Sequence, residues 1–434
     1  MFVQIHMLQS MPPGNLNRDE TGQPKKCIFG GVTRGRISSQ CLKRNIRHSV
    51  QFKEAFGDAL ADRTCFLPRM VADELQGNKL GVPDDELEDL KAAIAAKFKK
   101  EKGKGDAEET QQDGEDQERA AGAPEAASDA DKTGQLVFFP PPFARRIADL
   151  IAAFRKDHDR AYKTFLGKRV EYTTKGNDKK KEDKALDAEI DKFAQEVSKA
   201  SKELTVDIGL FGRMTTSDLV VNVEAACQVA HAISTHETVI ESDYFTAIDD
   251  RKASYATSQT DKAGAAYLGS GEHETFYSAA VYYKYLNLDI DALRKHLPSL
   301  SEQDAARVAE VLVSAAALAN PTGKQNSFAS HSVPELILVE VSKTKRPVSY
   351  ANAFLQPVEG GTGDNLMTKS ANALQGYVDS VAAAFAPADV RRFLLAVGHA
   401  KVSMQTKHTS AGTIDLLAKA VADAAIRPKA KATA

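Results

Sequence analysis

Apolar segments with strand-like character recur along the chain, and their spacing limits its fold more than any other feature. Residues 2–8 alternate side chains between two faces, which is typical of a half-buried strand. Residues 276–286 and 335–341 are rich in aromatic or β-branched side chains and predict two further strands. We also predict strands at residues 204–211 and 227–234, although a helical period fits the second almost equally well.

Helical patterns separate these strands. A helix begins at Ser39, residues 72–99 are helical in character, and an alanine-rich helix covers residues 303–318. Two more helices, at residues 366–385 and 387–398, close the chain. The order strand, helix, strand, strand, helix, strand predicts an α+β chain built on a ferredoxin-like or RRM-like domain with insertions. The aromatic signature of an ordinary RRM sheet is absent from the sequence, so stacking of bases on the sheet is not expected.

A charged segment that is poor in apolar residues interrupts the helical middle of the chain. Residues 97–133 contain almost no large apolar side chains, so they bury too little surface to offset the entropy of ordering. We therefore predict a disordered insertion there. Beyond it, prolines precede an amphipathic helix that carries Phe143, Ile147, Ile151 and Phe154, and a charged helix follows.

Composition is that of a soluble globular protein. A chain of 434 residues with 42% hydrophobic residues can bury a large core. The sequence has no run of about 20 apolar residues and no signal-peptide pattern at its start, which predicts a cytoplasmic protein without membrane contact. Cys27, Cys41, Cys65 and Cys227 contain no C-x-x-C pair, so we expect reduced thiols and neither zinc nor disulfides. No cofactor is expected.

Positive charge is concentrated between Leu16 and Arg47, although the formal net charge of the chain is only −2. The acidic residues of this segment are Asp19 and Glu20. Its basic residues are Arg18, Lys25, Lys26, Arg34, Arg36, Lys43, Arg44 and Arg47. Such local concentration is typical of a surface that holds anions.

The order of residues within this basic segment suggests how a phosphate would be held. Gly30 and Gly31 permit a tight turn and a close backbone approach to a phosphate. Ser38 or Ser39 then opens a helix, and the first N–H groups of a helix favour an anion. Lys43 and Arg47 are four residues apart and should project from one helical face. Together these features predict a phosphate-binding surface, whereas a solvated basic helix is the alternative for any single side chain.

Several motifs of this chain resemble one known family. They are FGG-x-x-R-x-RISSQ-x-LKR from Phe29, DIGLFGRMTTSD from Asp207, QVAHAISTHE from Gln228, DYFTAIDD from Asp243 and KQNSFA from Lys324. The sequence resembles the CasC family, the guide-RNA-binding backbone subunit of the type I-E CRISPR Cascade complex. The resemblance covers most of the chain but neither the insertion nor the C-terminal tail.

The resemblance implies a modified RRM-like or ferredoxin-like palm with a helical lobe and a protruding β-hairpin thumb. The palm would combine residues 1–60, 203–234 and 272–345, and the helical lobe would take residues 61–202. The thumb would be residues 235–271, and a helical segment with a tail would fill residues 346–434.

The predicted thumb places Tyr244, Phe245 and Ile248 among acidic and turn residues. Apolar side chains at such a tip can unstack bases at about a few kcal/mol per step, whereas packing onto their own domain is the alternative from the residues alone. In the family the thumb reaches over a neighbouring subunit and interrupts the guide-target duplex. The resemblance therefore implies Phe245, Thr246 and Ile248 as thumb-tip residues and Met214 as a base contact.

The resemblance also implies contacts to the guide backbone. These would be Arg18, Lys25, Ser38, Gln40, Lys43 and Arg47, with Lys324 as a weaker candidate. Val32 and Thr33 stand where the family often has basic residues, so some phosphate contacts would be missing. Contacts to phosphate and sugar ignore sequence, so specificity would come from base pairing with the target.

The remaining partners follow from the same resemblance. They would be crRNA, target DNA, other Cascade subunits and further copies of this chain, assembled head to tail into an open filament. Within the charged helix, Lys179, Lys180, Lys181 and Lys184 would contact target DNA by charge, and a solvated surface helix is the equal alternative.

Two other functions are open from the residues alone. An RNA-cleaving backbone subunit would draw on His6, His48, His231, His236, Asp249 and Asp250, but these residues form no metal-binding signature such as H-E-x-x-H. A helix-turn-helix regulator would require base readout and a dimer, and the glycine-rich basic loop suits phosphate better. We therefore predict a non-catalytic protein that binds guide RNA.

Overall fold

The computed structural model shows α-helices packed on a large, mostly antiparallel β-sheet. The residues it describes are 1–78, 80, 82–98, 129–134, 136–168, 177–215, 217, 219–243, 246–247, 267–268, 275–361, 363–385 and 389–426. The strands are β1 (Phe2–Gly14), β2 (Lys26–Phe29), β3 (Val32–Ile37), β4 (Asp62–Thr64), β5 (Val137–Phe139), β6 (Cys227–Val229), β7 (Ala232–Ser234), β8 (Glu241–Asp243), β9 (Thr246–Ala247), β10 (Tyr267–Leu268), β11 (Thr275–Asp289), β12 (Leu336–Ser342), β13 (Arg391–Ala396) and β14 (Thr409–Ser410).

The helices of the described residues lie between these strands. They are α1 (Ser39–Arg47), α2 (Val50–Phe56), α3 (Leu67–Gly77), α4 (Asp84–Lys97), α5 (Phe143–Asp157), α6 (Asp159–Phe165), α7 (Asn177–Ala200), α8 (Val206–Phe211), α9 (Ile290–His296), α10 (Glu302–Leu318), α11 (Gln325–Phe328), α12 (Leu366–Phe385) and α13 (Ile414–Ala425). Short 3-10 turns occupy Gly57–Ala59, Asp129–Asp131 and Ala351–Phe354.

Strand β11 lies at the centre of the main sheet. It pairs antiparallel with β1 along one side, where Ile5 is opposite Leu286, and with β6, β7 and β8 along the other. β1 also pairs with β12, and the sheet continues through β13 to β14 at one edge and through β3 to β2 at the other. The strands predicted at residues 2–8, 276–286 and 335–341 are confirmed.

A subset of the elements follows the order strand, helix, strand, strand, helix, strand along the chain: β1, α1, β6 with β7, β11, α10 and β12. Strands β2 and β3 lie between β1 and α1, and the helix α8 replaces the strand predicted at residues 204–211. In space the strands of this subset are ordered β12, β1, β11, β7, with β6 also beside β11. The alanine-rich helix α10 is confirmed, and it begins with a capping box in which Ser301 and Asp304 bond each other's backbone N–H.

Two other predictions of local structure are wrong. Residues 204–211 contain the short helix α8 instead of a strand, and residues 387–398 contain strand β13 instead of a helix. The strand predicted at residues 227–234 is confirmed as two short strands, β6 and β7, with a break between them. The helical character predicted for residues 72–99 is confirmed by the end of α3 and the whole of α4. Short apolar runs do not distinguish strand from buried helix by periodicity, so tertiary pairing decides.

Both faces of the central sheet are covered, so the prediction that residues 2–8 form a half-buried strand is wrong. Residues 1–9 are all buried. Val3, Ile5 and Met7 pack on one face in a core shared with α1, α2, α10 and α13. Leu8 packs on the other face in a core shared with α12 and the turn Ala351–Phe354.

The polar residues of β1 belong to a buried polar cluster. His6 Nδ1 lies 2.9 Å from the Tyr283 hydroxyl, and the His6 ring stacks on Tyr350 with centroids 4.4 Å apart. Glu340 accepts hydrogen bonds from the Tyr350 hydroxyl at 2.9 Å and from Arg392 Nε at 2.7 Å. Burial lowers the pKa of His6, so the ring favours its neutral form. His6 gives residues 2–8 an alternating pattern like that of a strand with one exposed face, but its side chain packs inside the protein.

A third hydrophobic core lies mainly within the predicted helical lobe, residues 61–202. The amphipathic helix α5 is confirmed, and its side chains Phe143, Ile147, Ile151 and Phe154 are all buried in this core. Phe154 stacks on Phe193 of α7 with ring centroids 4.8 Å apart. The buried side chains of this core form a cluster separate from the two cores that flank the sheet.

The predicted insertion at residues 97–133 is too long at both ends. Phe98 is only 1% exposed and belongs to the core of the helical lobe. At the other end, Asp131 pairs with Lys91 at 2.7 Å and the Thr133 amide donates to the Cys65 carbonyl at 2.7 Å. Residues 99–128 lie outside the described residues, so the prediction of disorder there stays a prediction.

Candidate nucleic-acid interface

The basic segment folds around the backbone of residues 15–17. Asn17 accepts the amide hydrogen of Ser38 on Oδ1 at 2.8 Å and that of Lys25 on its carbonyl at 2.8 Å. The Lys25 carbonyl in turn accepts the Arg36 amide at 2.9 Å. Gly323 lies against the same backbone, since a Cβ there would be 2.6 Å from the Leu16 carbonyl oxygen. Lys25 and the loop that holds Lys324, which are far apart in sequence, therefore both lie beside residues 15–17.

The glycine pair forms the tip of the β2–β3 hairpin. Gly30 has φ +62° and Gly31 has φ +83°, which are left-handed conformations that favour glycine. A Cβ on Gly30 would lie 1.7 Å from the Leu355 carbonyl oxygen, whereas Gly31 faces open space. The missing Cβ of Gly30 therefore makes room for the backbone of Leu355. The prediction that Gly30 lets the backbone approach a phosphate is wrong.

Ser38 is the residue that caps α1. Its hydroxyl accepts the Cys41 amide hydrogen at 3.2 Å, and the side chain is only 1% exposed. Lys25 is also buried, at 8% exposed. Gln40 is exposed and Lys43 is half-buried. Of the residues near the start of α1, Gln40 and Lys43 therefore reach the surface, while Ser38 shapes the backbone.

Arg47 lies inside the protein. Its guanidinium donates from Nε to Asp207 Oδ2 at 2.9 Å and from Nη2 to the Ala61 carbonyl at 2.8 Å, and it stacks over the Phe138 ring at 4.3 Å. Asp207 is 0% exposed, so the two charges neutralise each other in a buried pair. The prediction that Arg47 and Lys43 flank the same phosphates is therefore wrong for Arg47, which stabilises the fold.

Arg34 is a second internal arginine. It is 0% exposed and donates to the carbonyls of Phe29 at 3.1 Å, Ser234 at 3.0 Å and Phe354 at 2.8 Å. Burial lowers the pKa of Arg34. The three carbonyl oxygens accept hydrogen bonds from its planar guanidinium, which partly replace the water lost on burial. It joins β2, β7 and the turn Ala351–Phe354, so it positions the hairpin instead of contacting a ligand.

The other basic residues of the segment stay at or near the surface. Lys26 and Arg44 are exposed, and Arg18, Arg36 and Lys43 are half-buried. Arg36 Nη1 lies 3.1 Å from His231 Nδ1. These cations lie on β2, β3, α1 and the adjoining loop, and surface lysine and arginine are side chains that contact phosphate.

Met214 projects from a turn that Arg213 holds in place. Met214 is 90% exposed, the largest exposure among the exposed large hydrophobic side chains of the described residues. Arg213 donates to the carbonyls of Val221 at 2.9 Å, Phe138 at 3.2 Å and Ser201 at 2.7 Å, and burial lowers its pKa to about 10. Met214 was predicted as a base contact, whereas the positioning role of Arg213 was not predicted, although the shared GRM motif contains both residues.

The structure describes the side chains of three of the four lysines predicted to contact DNA from α7. Lys180, Lys181 and Lys184 are exposed, and the side chain of Lys179 lies outside the described residues. An exposed lysine row suits both a solvated helix and a DNA contact by charge. The role of these lysines therefore stays a prediction.

The predicted thumb is described only in part. β9 pairs antiparallel with β10, with Thr246 opposite Leu268, and β8 pairs with the start of β11. Phe245, Ile248, Asp249 and Asp250 lie outside the described residues. The described parts are thus antiparallel pairs, and the tip itself stays a prediction.

Three histidines of the cleavage alternative, His6, His231 and His236, have separate partners. His6 belongs to the buried polar cluster, and His231 lies beside Arg36. His236 Nε2 accepts the Val281 amide hydrogen at 3.1 Å while Nδ1 donates to the Glu237 carbonyl at 2.6 Å.

Within the part of the chain that the structure describes, no group of three or more His, Cys, Asp or Glu side chains is placed to hold a metal ion. No helix there is both long and apolar enough to span a bilayer. The cysteines Cys27, Cys41, Cys65 and Cys227 are free thiols.

The chain is similar to one protein family and to solved chains of CRISPR complexes. Residues 3–421 match the sequence model of the family described as CT1975-like protein, Cas_CT1975. The chain is similar to a solved chain of "CRISPR RNA-guided surveillance complex, pre-nicking", with 26% identity, a TM-score of 0.72 and coverage of 98% of this chain and 100% of the other. It has the fold of a chain of "CRISPR RNA-guided surveillance complex", with 22% identity, a TM-score of 0.63 and the same coverage of 98% and 100%. None of the curated proteins matches. Because the family match spans nearly the whole sequence, the chain belongs to the CT1975-like protein family, Cas_CT1975.

Proposed function

We propose that this chain is a non-catalytic backbone subunit of a Cascade-type CRISPR surveillance complex, of type I-E, that holds guide crRNA by its sugar-phosphate backbone. The observation that carries the proposal is the similarity over 98% of the chain, at a TM-score of 0.72, to a chain of an RNA-guided surveillance complex. The motifs shared with the CasC family support the same function. Bases held in this way stay free to pair with target DNA.

The covered sheet supports backbone contact over base stacking. An RRM stacks bases on exposed aromatic side chains of its sheet. Here Tyr283 and Tyr285 of β11 are 2% and 7% exposed, beneath α12 and its neighbours. The surface cations around α1 and β3 are the better support for a nucleic-acid contact, and they address phosphate without reading sequence.

Within this proposal the guide contacts are the residues that reach the surface. Arg18, Lys43 and Lys324 supply charge, and Gln40 supplies a polar side chain near the start of α1. Lys25 and Ser38 shape the loop and the cap, and Arg47 holds the fold from inside. Met214 is the base contact, held in place by Arg213.

The palm and thumb belong to the same proposal. The order β12, β1, β11, β7 with α1 and α10 on one face supports a ferredoxin-like palm. Residues 235–271 form the thumb and reach a neighbouring copy, so that copies assemble head to tail along the RNA in an open filament. Target DNA and other Cascade subunits complete the partners, in the cytoplasm.

Coexpression with the neighbouring genes and a repeat-spacer array tests the proposal. The bound nucleic acid is sequenced for the wild type, for Lys43→Glu, and for Lys419→Glu, an exposed charge reversal on α13 that serves as the matched control. We expect spacer-containing RNA of defined length with the wild type and the control, and much less with Lys43→Glu. Protein free of RNA would contradict the binding function. RNA cut at regular intervals would instead support the cleavage alternative.

A further inference from the structure

Phe328 and Tyr277 form an aromatic pair at the root of the predicted thumb. Their ring centroids are 5.6 Å apart, and the ring planes are tilted by 43°. Phe328 ends the short helix α11, while Tyr277 lies near the start of β11, where its hydroxyl donates to Glu241 Oε2 of β8 at 3.3 Å. Both aromatic residues are half-buried, whereas Tyr283 and Tyr285 further along β11 are buried. The pair is therefore the part of this strand that a ligand can reach.

The loop that carries Phe328 has a backbone conformation that is uncommon for its residues. Lys324 has φ +51° and Ala329 has φ +46°, so a left-handed residue lies at each end of α11. Such conformations persist only where the surrounding structure holds them, and they cluster at functional sites. The Phe328 amide donates to the Lys324 carbonyl at 3.0 Å. The aromatic residue and the lysine are therefore one helical turn apart on the same loop.

A buried amide pair closes the base of this loop. Gln9 of β1 is 0% exposed and donates from Nε2 to Asn320 Oδ1 at 2.9 Å and to the Ser332 carbonyl at 2.8 Å. Asn320 donates to the same carbonyl at 2.9 Å. Gly323 lies against the Leu16 carbonyl, beside the basic segment. Contacts within the protein therefore hold the loop in place next to the surface proposed to bind the guide.

We propose that Phe328 and Tyr277 form a stacking platform for a base of the guide RNA, while Lys324 contacts a phosphate of the same strand. This rests on the proposed function and adds a base contact to it. Aromatic side chains hold single-stranded RNA by stacking, and every base has a face that can stack. The contact therefore reads no sequence, as a subunit that accepts any spacer requires.

The sequence contains no tryptophan, so one introduced tryptophan reports on a single position. Phe328→Trp places this fluorophore in the platform. Phe385→Trp is the matched control, because Phe385 is 60% exposed at the end of α12. Each full-length variant is titrated with single-stranded RNA of mixed sequence and with abasic RNA of the same length, which keeps the phosphates but lacks the bases.

We expect the mixed-sequence RNA to quench the emission of Phe328→Trp, because a base stacked on an indole quenches it. Abasic RNA should not quench this variant, and neither RNA should quench Phe385→Trp. Equal quenching of both tryptophans would contradict stacking at Phe328.

Affinities of Phe328→Leu and Phe385→Leu, measured by fluorescence anisotropy with labelled RNA, test the same contact without a new ring. Phe328→Leu should weaken binding of mixed-sequence RNA by about tenfold, the effect of losing one stacked base, and leave binding of abasic RNA unchanged. Phe385→Leu should bind both RNAs like the wild type. Lys324→Ala should weaken binding of both RNAs and reduce the slope of log affinity against log salt by about 0.7.

Other results would overturn the inference in distinguishable ways. If Phe328→Leu binds mixed-sequence RNA like the wild type while Lys324→Ala binds it more weakly, the stacking contact is wrong and the RNA-binding function stands. If Phe328→Leu loses the same affinity for both RNAs, the ring only shapes the loop and the platform is wrong. If the wild type binds neither RNA, the proposed function and this inference both fail.

Discussion

Lys284 lies in the middle of β11 with its side chain only 2% exposed, and it supports a quantitative prediction. Its ammonium donates to the carbonyl of Ala316, in the last turn of α10, at 3.0 Å. A helix C-terminus favours a cation, but one hydrogen bond does not replace the hydration lost on burial. Burial accordingly lowers the pKa of Lys284 from 10.5 to about 8.

This difference makes stability depend on pH. Below about pH 8 the lysine is protonated in both states, so the cost of burying its charge is fully present. As pH rises, the folded state releases the proton first, and the free energy of unfolding therefore increases up to the ordinary pKa of 10.5. The complete effect is about 3 kcal/mol, of which about 2 kcal/mol should appear between roughly pH 7 and 9.5.

Buried tyrosines limit the useful range at its upper end. Burial raises the pKa of Tyr282 and Tyr285 to about 12, while unfolded tyrosines ionise near 10. The unfolded state therefore releases these protons first, and stability falls above about pH 10. Measurements below roughly pH 9.5 avoid this opposing change.

The assay compares urea unfolding of the wild type, Lys284→Met and Lys419→Met by circular dichroism at several values between roughly pH 7 and 9.5. Lys419 is exposed, so its variant controls for loss of a lysine. Taking differences between variants cancels the titration of groups they share. The wild type and Lys419→Met should gain about 2 kcal/mol relative to Lys284→Met. Parallel pH profiles for all three proteins would refute the reasoning.

Three further substitutions test internal features. Arg47→Ala should lower the free energy of unfolding by about 3–5 kcal/mol because it leaves a buried carboxylate unpaired, and urea titration should show little change for the exposed Arg44→Ala. Gly30→Ala should lower the thermal midpoint much more than Gly31→Ala, since only Gly30 abuts a backbone carbonyl; equal shifts would contradict this. Burial lowers the pKa of His236, so stability should fall as pH drops below 6.5, and His236→Gln should weaken that dependence in thermal melts at several pH values.

Long periodic segments of this chain were predictable from sequence because their signal is local. β11 spans Thr275–Asp289 and α10 spans Glu302–Leu318, each close to the predicted bounds. Their aromatic and alanine-rich runs are long enough to distinguish strand from helix. Short segments such as α8 and β13 carry no such signal, and the β2–β3 hairpin and α13 went unpredicted. The basic segment and the motifs of the family were equally visible, since both are contiguous.

Tertiary structure alone decided which polar residues face inward. Arg34 and Arg47 look like Lys43 in the sequence, yet both are buried, and Arg47 neutralises Asp207, 160 positions away. His6 continues an alternating pattern but lies between two covered faces of the sheet. Burial of a charge depends on the partner that folding brings to it, and a partner so distant leaves no trace in local pattern. A basic surface is therefore predictable from the order of the residues, whereas folding selects which of those residues can reach a ligand.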